Sequence, residues 1–366
     1  MTRRLRVGVI GTGIIAQVMH LHFLRELSDR FEIAAVCDIS RDSAERCAEA
    51  YGVASVHTDW RELLAESLDA VLVLTSGSHA PIAVAAAEAG KHVFVEKPMC
   101  FSVAEGREMI AAASDAGVTL MVGYPKRYDP AYQRFQGAVS HLGRPKLMRV
   151  TTMESPFKPY VGHYPLLAPG EVPEGVLEQL RRDTQLRLRE AIGTDDAFYV
   201  NQYHMVLLDT LVHEINTVRG ALGEPDRLDF VELREGSLTA LLTFPTMPVA
   251  IHWLDLPGMT RYLMEFAVFD DDERVTLSFP SPFLRNAPTL LSVESGRRDD
   301  VGSSHCEEIT SYESAFKAEL VAFHRAVVDG APPVTDGWDG ARDIALCQAI
   351  IECAREGHPI EHPTAL

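Results

Sequence analysis

In the first third of this 366-residue chain, short apolar runs alternate with helical patterns. This alternation constrains the fold more than any other feature. Leu5–Ile10, Phe31–Cys37, Val71–Leu74, Val93–Val95 and Thr119–Val122 read as buried strands. Between them lie helical stretches from about Ile14 to Leu27, Arg41–Tyr51 before Gly52, Pro81–Ala89 before Gly90, and Ala104–Ala116 before Gly117. A proline in the first turn and a glycine after the last are the start and stop signals of helices. Apolar strands separated by helices require a parallel sheet covered on both faces. After about Tyr124 the pattern changes. Lys146–Met153, Leu228–Leu233, Leu238–Phe244, Val249–Leu254, Tyr262–Phe269, Arg274–Phe279 and Thr289–Val293 are strand-like, and most follow one another without helices. They predict an open, mostly antiparallel sheet, with Asp270–Glu273 as a hairpin tip. Helices are expected at Ser314–Val328 and Trp338–Arg355, and a solvated helix in the charged part of residues 155–200. The expected class is α/β in two domains, 1–125 and 126–366.

Gly11-Thr12-Gly13-Ile14-Ile15-Ala16 lies where the first strand turns into the first helix. In that context a G-x-G-x-x-A element is a dinucleotide-binding turn, which makes 1–125 a Rossmann domain. Gly11 permits the tight turn, Gly13 lets a pyrophosphate approach the backbone, and Ala16 lets helix and strand pack closely. The free amides at the helix start face the phosphates. Asp38 closes the second strand, where a carboxylate accepts from the adenosine ribose hydroxyls and repels a 2′-phosphate. NAD is therefore the expected cofactor. Arg41 keeps NADP possible, and Asp38 also stands where a helix N-cap is expected.

A net charge of −18 argues against nucleic acid as a partner. The first ten residues contain no h-region of secretory length, and no apolar run approaches the roughly 18 residues that span a bilayer. The six cysteines include no CxxC pair and sit among apolar residues. Reduced core thiols in a cytoplasmic protein are expected, with no metal site.

Further elements follow the later strands: Thr75-Ser76-Gly-Ser-His79, Glu96-Lys97-Pro98, Gly123-Tyr-Pro-Lys-Arg127-Tyr-Asp-Pro130 and, downstream, Asp209-Thr-Leu-Val-His213. In this order, behind the glycine turn, they resemble the Gfo/Idh/MocA family of glucose–fructose oxidoreductase, inositol dehydrogenase and relatives. The resemblance implies hydride transfer between a nicotinamide and a secondary alcohol or ketone of a sugar or cyclitol. It implies cofactor contacts from Thr75, Ser76, His79, Glu96, Lys97 and Arg127. It also places Lys97 beside nicotinamide and substrate, His213 as acid/base and Asp209 on the substrate. The residue chemistry agrees. A carbinol losing hydride must also lose a proton, histidine titrates near neutral pH, and a lysine stabilises charge on the oxygen. On an α-helix Asp209 and His213 share a face. Relatives carry a glycine where this chain has Leu211, and their segment before it is shorter. His163, Tyr164, Tyr203 and His204 are pocket candidates, whereas His20 and His22 read as ordinary helix residues.

The same fold supports an NAD-dependent glycosidase that oxidises its sugar transiently. A non-enzymatic NAD(P)-binding regulator is disfavoured because Lys97 and His213 are both present. The second sheet reads as apolar on both faces, with Val249, Ile251 and Trp253 opposite Ala250, His252 and Leu254. The late helices and the Asp209–Arg219 helix cover one face. The other predicts a homodimer or homotetramer, unless residues 155–200 fold over it.

Overall fold

The computed structural model describes residues 3–172, 174–296 and 302–366. Six parallel strands form the first sheet: β1 (Leu5–Ile10), β2 (Phe31–Cys37), β3 (Ser55–His57), β4 (Ala70–Val73), β5 (His92–Glu96) and β6 (Leu120–Gly123). Their order is β3-β2-β1-β4-β5-β6. The chain reverses direction across the sheet between β1 and β4, and a crevice opens there at the carboxyl ends of the strands. Successive residues feed two cores: Val7, Val9, Leu72, Phe94 and Met121 on one face, Ile10, Val71, Val73, Val93 and Val122 on the other. The edge strand β3 escapes sequence reading because it is three half-buried residues, Ser-Val-His.

The second sheet has nine strands: β7 (Leu147–Glu154), β8 (Arg227–Arg234), β9 (Ser237–Thr243), β10 (Pro248–Asp255), β11 (Leu263–Phe269), β12 (Glu273–Phe279), β13 (Leu290–Gly296), β14 (Ser303–Ile309) and β15 (Ile360–Glu361). The order is β14-β13-β12-β11-β7-β10-β9-β8-β15, antiparallel except where β7 meets β10. Its inner face carries Val150, Ile251, Ala240, Phe266 and Leu277. Helices Val212–Leu222 and Gly337–Glu356 pack together on that side.

Two expectations about this sheet are corrected. The Ala315–Asp329 helix does not cover it. Phe316, Leu320 and Phe323 insert into the core of the first sheet instead, because that helix carries its apolar stripe toward Phe94. The outer face is also not simply apolar. Leu241 and Phe230 are exposed on it, but Arg149 pairs with Glu265, Thr239 bonds His252 at 3.2 Å, and Thr151 and Thr276 line it. β-branched threonines extend a strand as well as valine does, and a reading of apolar runs passes over them.

The segment after β7 crosses the carboxyl edge of the first sheet rather than the outer face of the second. The Leu167 amide donates to Gln17 Oε1 at 2.8 Å and the Gly170 amide to Ser43 Oγ at 2.8 Å. Arg46 donates to the Ala168 carbonyl at 2.7 Å. The Glu174–Ile192 helix, mostly exposed with Leu188 and Ile192 buried, passes Gly77 at Thr184 and ties Arg187 to Glu105 at 2.6 Å. No helix among the described residues is long and apolar enough to cross a membrane.

Candidate active site

The glycine turn closes β1 against β4. Gly11 sits at φ 99°, and a β-carbon there would lie 2.7 Å from the Leu74 carbonyl, so only glycine fits. At Gly13 a β-carbon would meet nothing within 4 Å, which leaves the backbone open to an approaching phosphate. Ile14 and Ile15 begin the helix behind it, and Ala16 is buried against the sheet. Asp38 Oδ2 accepts from the Thr12 amide at 2.9 Å and from its hydroxyl at 2.8 Å. The cap of the next helix is Ser40, whose Oγ accepts from the Ser43 amide. Asp38 is therefore not the cap; its carboxylate is held at the turn, with Oδ1 accepting from the Ser40 amide at 3.0 Å. The turn, the open backbone at Gly13 and this carboxylate fit a dinucleotide.

β5 and β6 are neighbours, with Glu96 opposite Gly123, so the residues after each strand emerge side by side. Glu96 is buried, with Oε1 2.6 Å from His20 Nε2 and Oε2 accepting from the Lys97 amide. Burial pulls this carboxyl up, but His20 and Lys97 together hold it below the usual range. His20, expected to be an ordinary helix residue, thus anchors the turn that carries Lys97. The Lys97–Pro98 peptide is cis. Lys97 Nζ donates to the Asp209 carbonyl and lies 3.1 Å from Asp209 Oδ1.

Gln202–Leu211 is a π-helix that passes into an α-helix at Val212. Asp209 and His213 therefore flank a junction between two helical pitches. The Asp209 carbonyl that accepts from Lys97 lies within the π-segment, and such segments are frequent at functional sites. Leu211, where the resemblance implied a glycine, is buried. Burial, then the charges of Lys126 and Lys97, push the His213 imidazole well below its ordinary value, so it rests neutral. Its Nδ1 is buried without a partner among the described residues.

Three further residues stand beside these, and sequence reasoning passed over each. Lys126 is 7% exposed, and burial pushes its ammonium down to about 8 despite nearby Glu214 and Glu154. Glu154, at the end of β7, is pushed up to about 7 by burial and by Glu214. Glu214 is fully buried, takes the Thr152 hydroxyl on Oε1, and leaves Oε2 unpartnered. The signal for Lys126 lay in the Gly123–Pro130 motif, where two basic residues adjoin. The 3-10 turn Pro125–Tyr128 sends Lys126 to the cleft and Arg127 away from it. Arg127 Nη1 instead lies 3.3 Å from Asn216 Oδ1 and 3.4 Å from Asp339.

The other candidates separate. His79 is buried between the Pro98 carbonyl at 2.7 Å and the Thr75 carbonyl at 2.6 Å, locking the loops after β4 and β5 together, with Ser76 between them in sequence. Tyr203 is buried and donates to the Phe101 carbonyl, and His204 stands edge-on to Phe101. His163 stacks on Tyr164, whose hydroxyl bonds the Phe283 carbonyl. None of the four pocket candidates His163, Tyr164, Tyr203 and His204 contacts Lys97 or His213 through a hydrogen bond.

The chain resembles known proteins in sequence and fold. A model described as "Oxidoreductase family, NAD-binding Rossmann fold" matches residues 5–124. The chain is 32% identical to the uncharacterized oxidoreductase YrbE of Bacillus subtilis, over 99% of this chain and 98% of that protein. It is 28% identical to inositol 2-dehydrogenase 3 of Saccharopolyspora erythraea, over 99% and 96%. Among solved structures, levoglucosan dehydrogenase in complex with NADH superposes with a TM-score of 0.76 at 17% identity, covering 99% of this chain and all of that one. The dinucleotide turn, the two-sheet architecture and full-length similarity agree: the chain belongs to the Gfo/Idh/MocA family of oxidoreductases.

Proposed function

We propose that the protein is an NAD(P)-dependent dehydrogenase or reductase of a secondary alcohol or ketone on a sugar or cyclitol. The observation that carries this reading is the convergence of Lys97, Asp209 and His213, from two distant segments, at the carboxyl edge of a dinucleotide-type sheet. The names of the relatives, an inositol dehydrogenase and a levoglucosan dehydrogenase, support the substrate class. NAD is the favoured cofactor because Asp38 places a carboxylate where a 2′-phosphate would have to lie.

When bound, the nicotinamide supplies the hydride acceptor or donor. The protein supplies the proton chemistry. His213, neutral at rest, takes the hydroxyl proton as the alcohol is oxidised and returns it in reduction. Lys97, held by Asp209, donates to the same oxygen and stabilises its developing charge. Asp209 orients Lys97 and lies within reach of a substrate hydroxyl. We assign cofactor binding to residues 1–125, substrate binding and assembly to 126–366, and a homo-oligomer to the outer face of the second sheet.

Mixing the protein with NAD or NADP and a panel of sugars and cyclitols, while following reduced-cofactor absorbance, tests the proposal. Net reduction with at least one polyol is expected. Sugar release from glycosides without net reduction would assign the fold to glycosidase chemistry instead.

A further inference from the structure

Lys126 stands out among the charged groups of the cleft. Nine-tenths of it is buried, yet no described carboxylate makes an ion pair with its Nζ within 4.0 Å. Its stem is buried but its Nζ is not among the fully buried atoms that lack a partner, so the ammonium opens on the cleft, where a bound group can take the place of water. The groups around it are Glu214, Glu154, Lys97 and Asp129, with the Phe279 ring 5.8 Å away. Glu154 likewise forms neither an ion pair nor a side-chain hydrogen bond among the described residues, and Glu214 Oε2 is orphaned. The site thus holds a donor-only group and acceptor-only groups facing a common space without touching. A hydroxyl is both donor and acceptor, and one placed between an ammonium and a carboxylate satisfies both.

Position says which hydroxyl. Lys97 and Lys126 follow adjacent parallel strands with Glu96 opposite Gly123, and such strands lie about 4.8 Å apart. Both ammonium groups also act on the buried His213 imidazole, so the oxygen that Lys126 meets lies close to the one at Lys97. Charge says which substrates. Lys97 is already paired with Asp209 and Lys126 already faces the carboxyls of Glu154 and Glu214, so a carboxylate or phosphate on the ligand meets no uncommitted cation.

Resting on the dehydrogenase reading above, we propose that Lys126 and Glu154 together bind the hydroxyl next to the reacting carbon. They make the site selective for uncharged vicinal diols over sugar acids and sugar phosphates.

Calorimetric titration of the protein–NADH complex with myo-inositol, D-glucose, D-xylose, D-glucuronate and glucose 6-phosphate tests this without turnover. Wild type is expected to bind at least one neutral polyol and to bind both anions at least tenfold more weakly. K126M and E154Q each lose about tenfold or more in affinity for that polyol, the scale of one hydrogen bond to a charged group. NADH affinity, read by fluorescence, stays unchanged. K126Q replaces K126M should the latter lose the wild-type circular dichroism. Unaltered polyol binding in the Lys126 variants, equal binding of glucuronate, or a wild type that binds none of the three neutral polyols overturns the proposal. Polyol binding that depends on Lys126 but gives no reduction of NAD or NADP leaves the proposal standing and removes the dehydrogenase reading alone.

Discussion

At the scale of single residues, burial decides which titratable groups carry the proposed chemistry. His213 does not titrate near neutrality as a free histidine does, because burial and two lysines hold it neutral. His213→Ala is expected to lower turnover by about 10²–10⁴-fold. The loss should be the same at pH 6.5 and pH 8, since the imidazole is uncharged at both. Steady-state rates at the two pH values check this, and near-normal turnover would remove His213 from the mechanism. Lys126 and Glu154 give the opposite case. Glu154 is ionised above about 7 and Lys126 protonated below about 8. Facing Lys97, Asp209, Asp129, Glu214 and neutral His213, both are charged only between those limits. Polyol affinity should therefore peak there, weakening in acid as Glu154 gains a proton and in base as Lys126 loses one. K126M should abolish the basic limb and E154Q the acidic one. Asp38→Ser should raise affinity for NADPH relative to NADH, because it removes the carboxylate at the ribose position. Tighter NADPH than NADH binding by the wild type would reject that role.

At the scale of elements, residues 167–170 and the Glu174–Ile192 helix form an arch over the carboxyl edge of the first sheet, touching Gln17, Ser43, Arg46, Gly77 and Glu105. We expect a dinucleotide seated on the glycine turn to pass beneath it. Gly170 is where the arch lies closest: a β-carbon there would stand 2.2 Å from Ser40 Oγ. Gly170→Val should lift the arch and break its bond to Ser43. Loss of about one hydrogen bond speeds NADH dissociation by roughly threefold to tenfold, measurable by stopped-flow fluorescence. An unchanged dissociation rate would mean that the arch does not gate the cofactor.

For the whole molecule, the outer face of the nine-stranded sheet is the proposed assembly surface. It mixes exposed Leu241 and Phe230 with an ion pair and threonines, a composition that suits a specific sheet-to-sheet contact better than a bare apolar one. Leu241→Asp is expected to convert an oligomer to monomer by light scattering behind a sizing column, with the fold intact by circular dichroism. Ile251 cannot serve as that probe. It is buried on the inner face, so a charge there would unfold the domain rather than split subunits. A wild-type monomer at micromolar concentration would reject the interface.

What was legible in the sequence was whatever depends on local pattern. The five longest parallel strands, the glycine turn, the change from alternating to consecutive strands and the two long late helices all follow from apolar period and breaker residues. The order of Lys97, Asp209 and His213 along the chain was equally plain. Tertiary structure alone decided which of two adjacent basic residues meets the cleft. It also paired His20 with Glu96, gathered Glu154 and Glu214 beside Lys126, and sent the Ala315–Asp329 helix back to the first sheet. These outcomes depend on strand order and on turns of three or four residues, where one step of backbone rotation exchanges a buried side chain for an exposed one. The π-pitch at Gln202–Leu211 belongs to the same class, because it comes from how that helix packs and not from any residue that requires it.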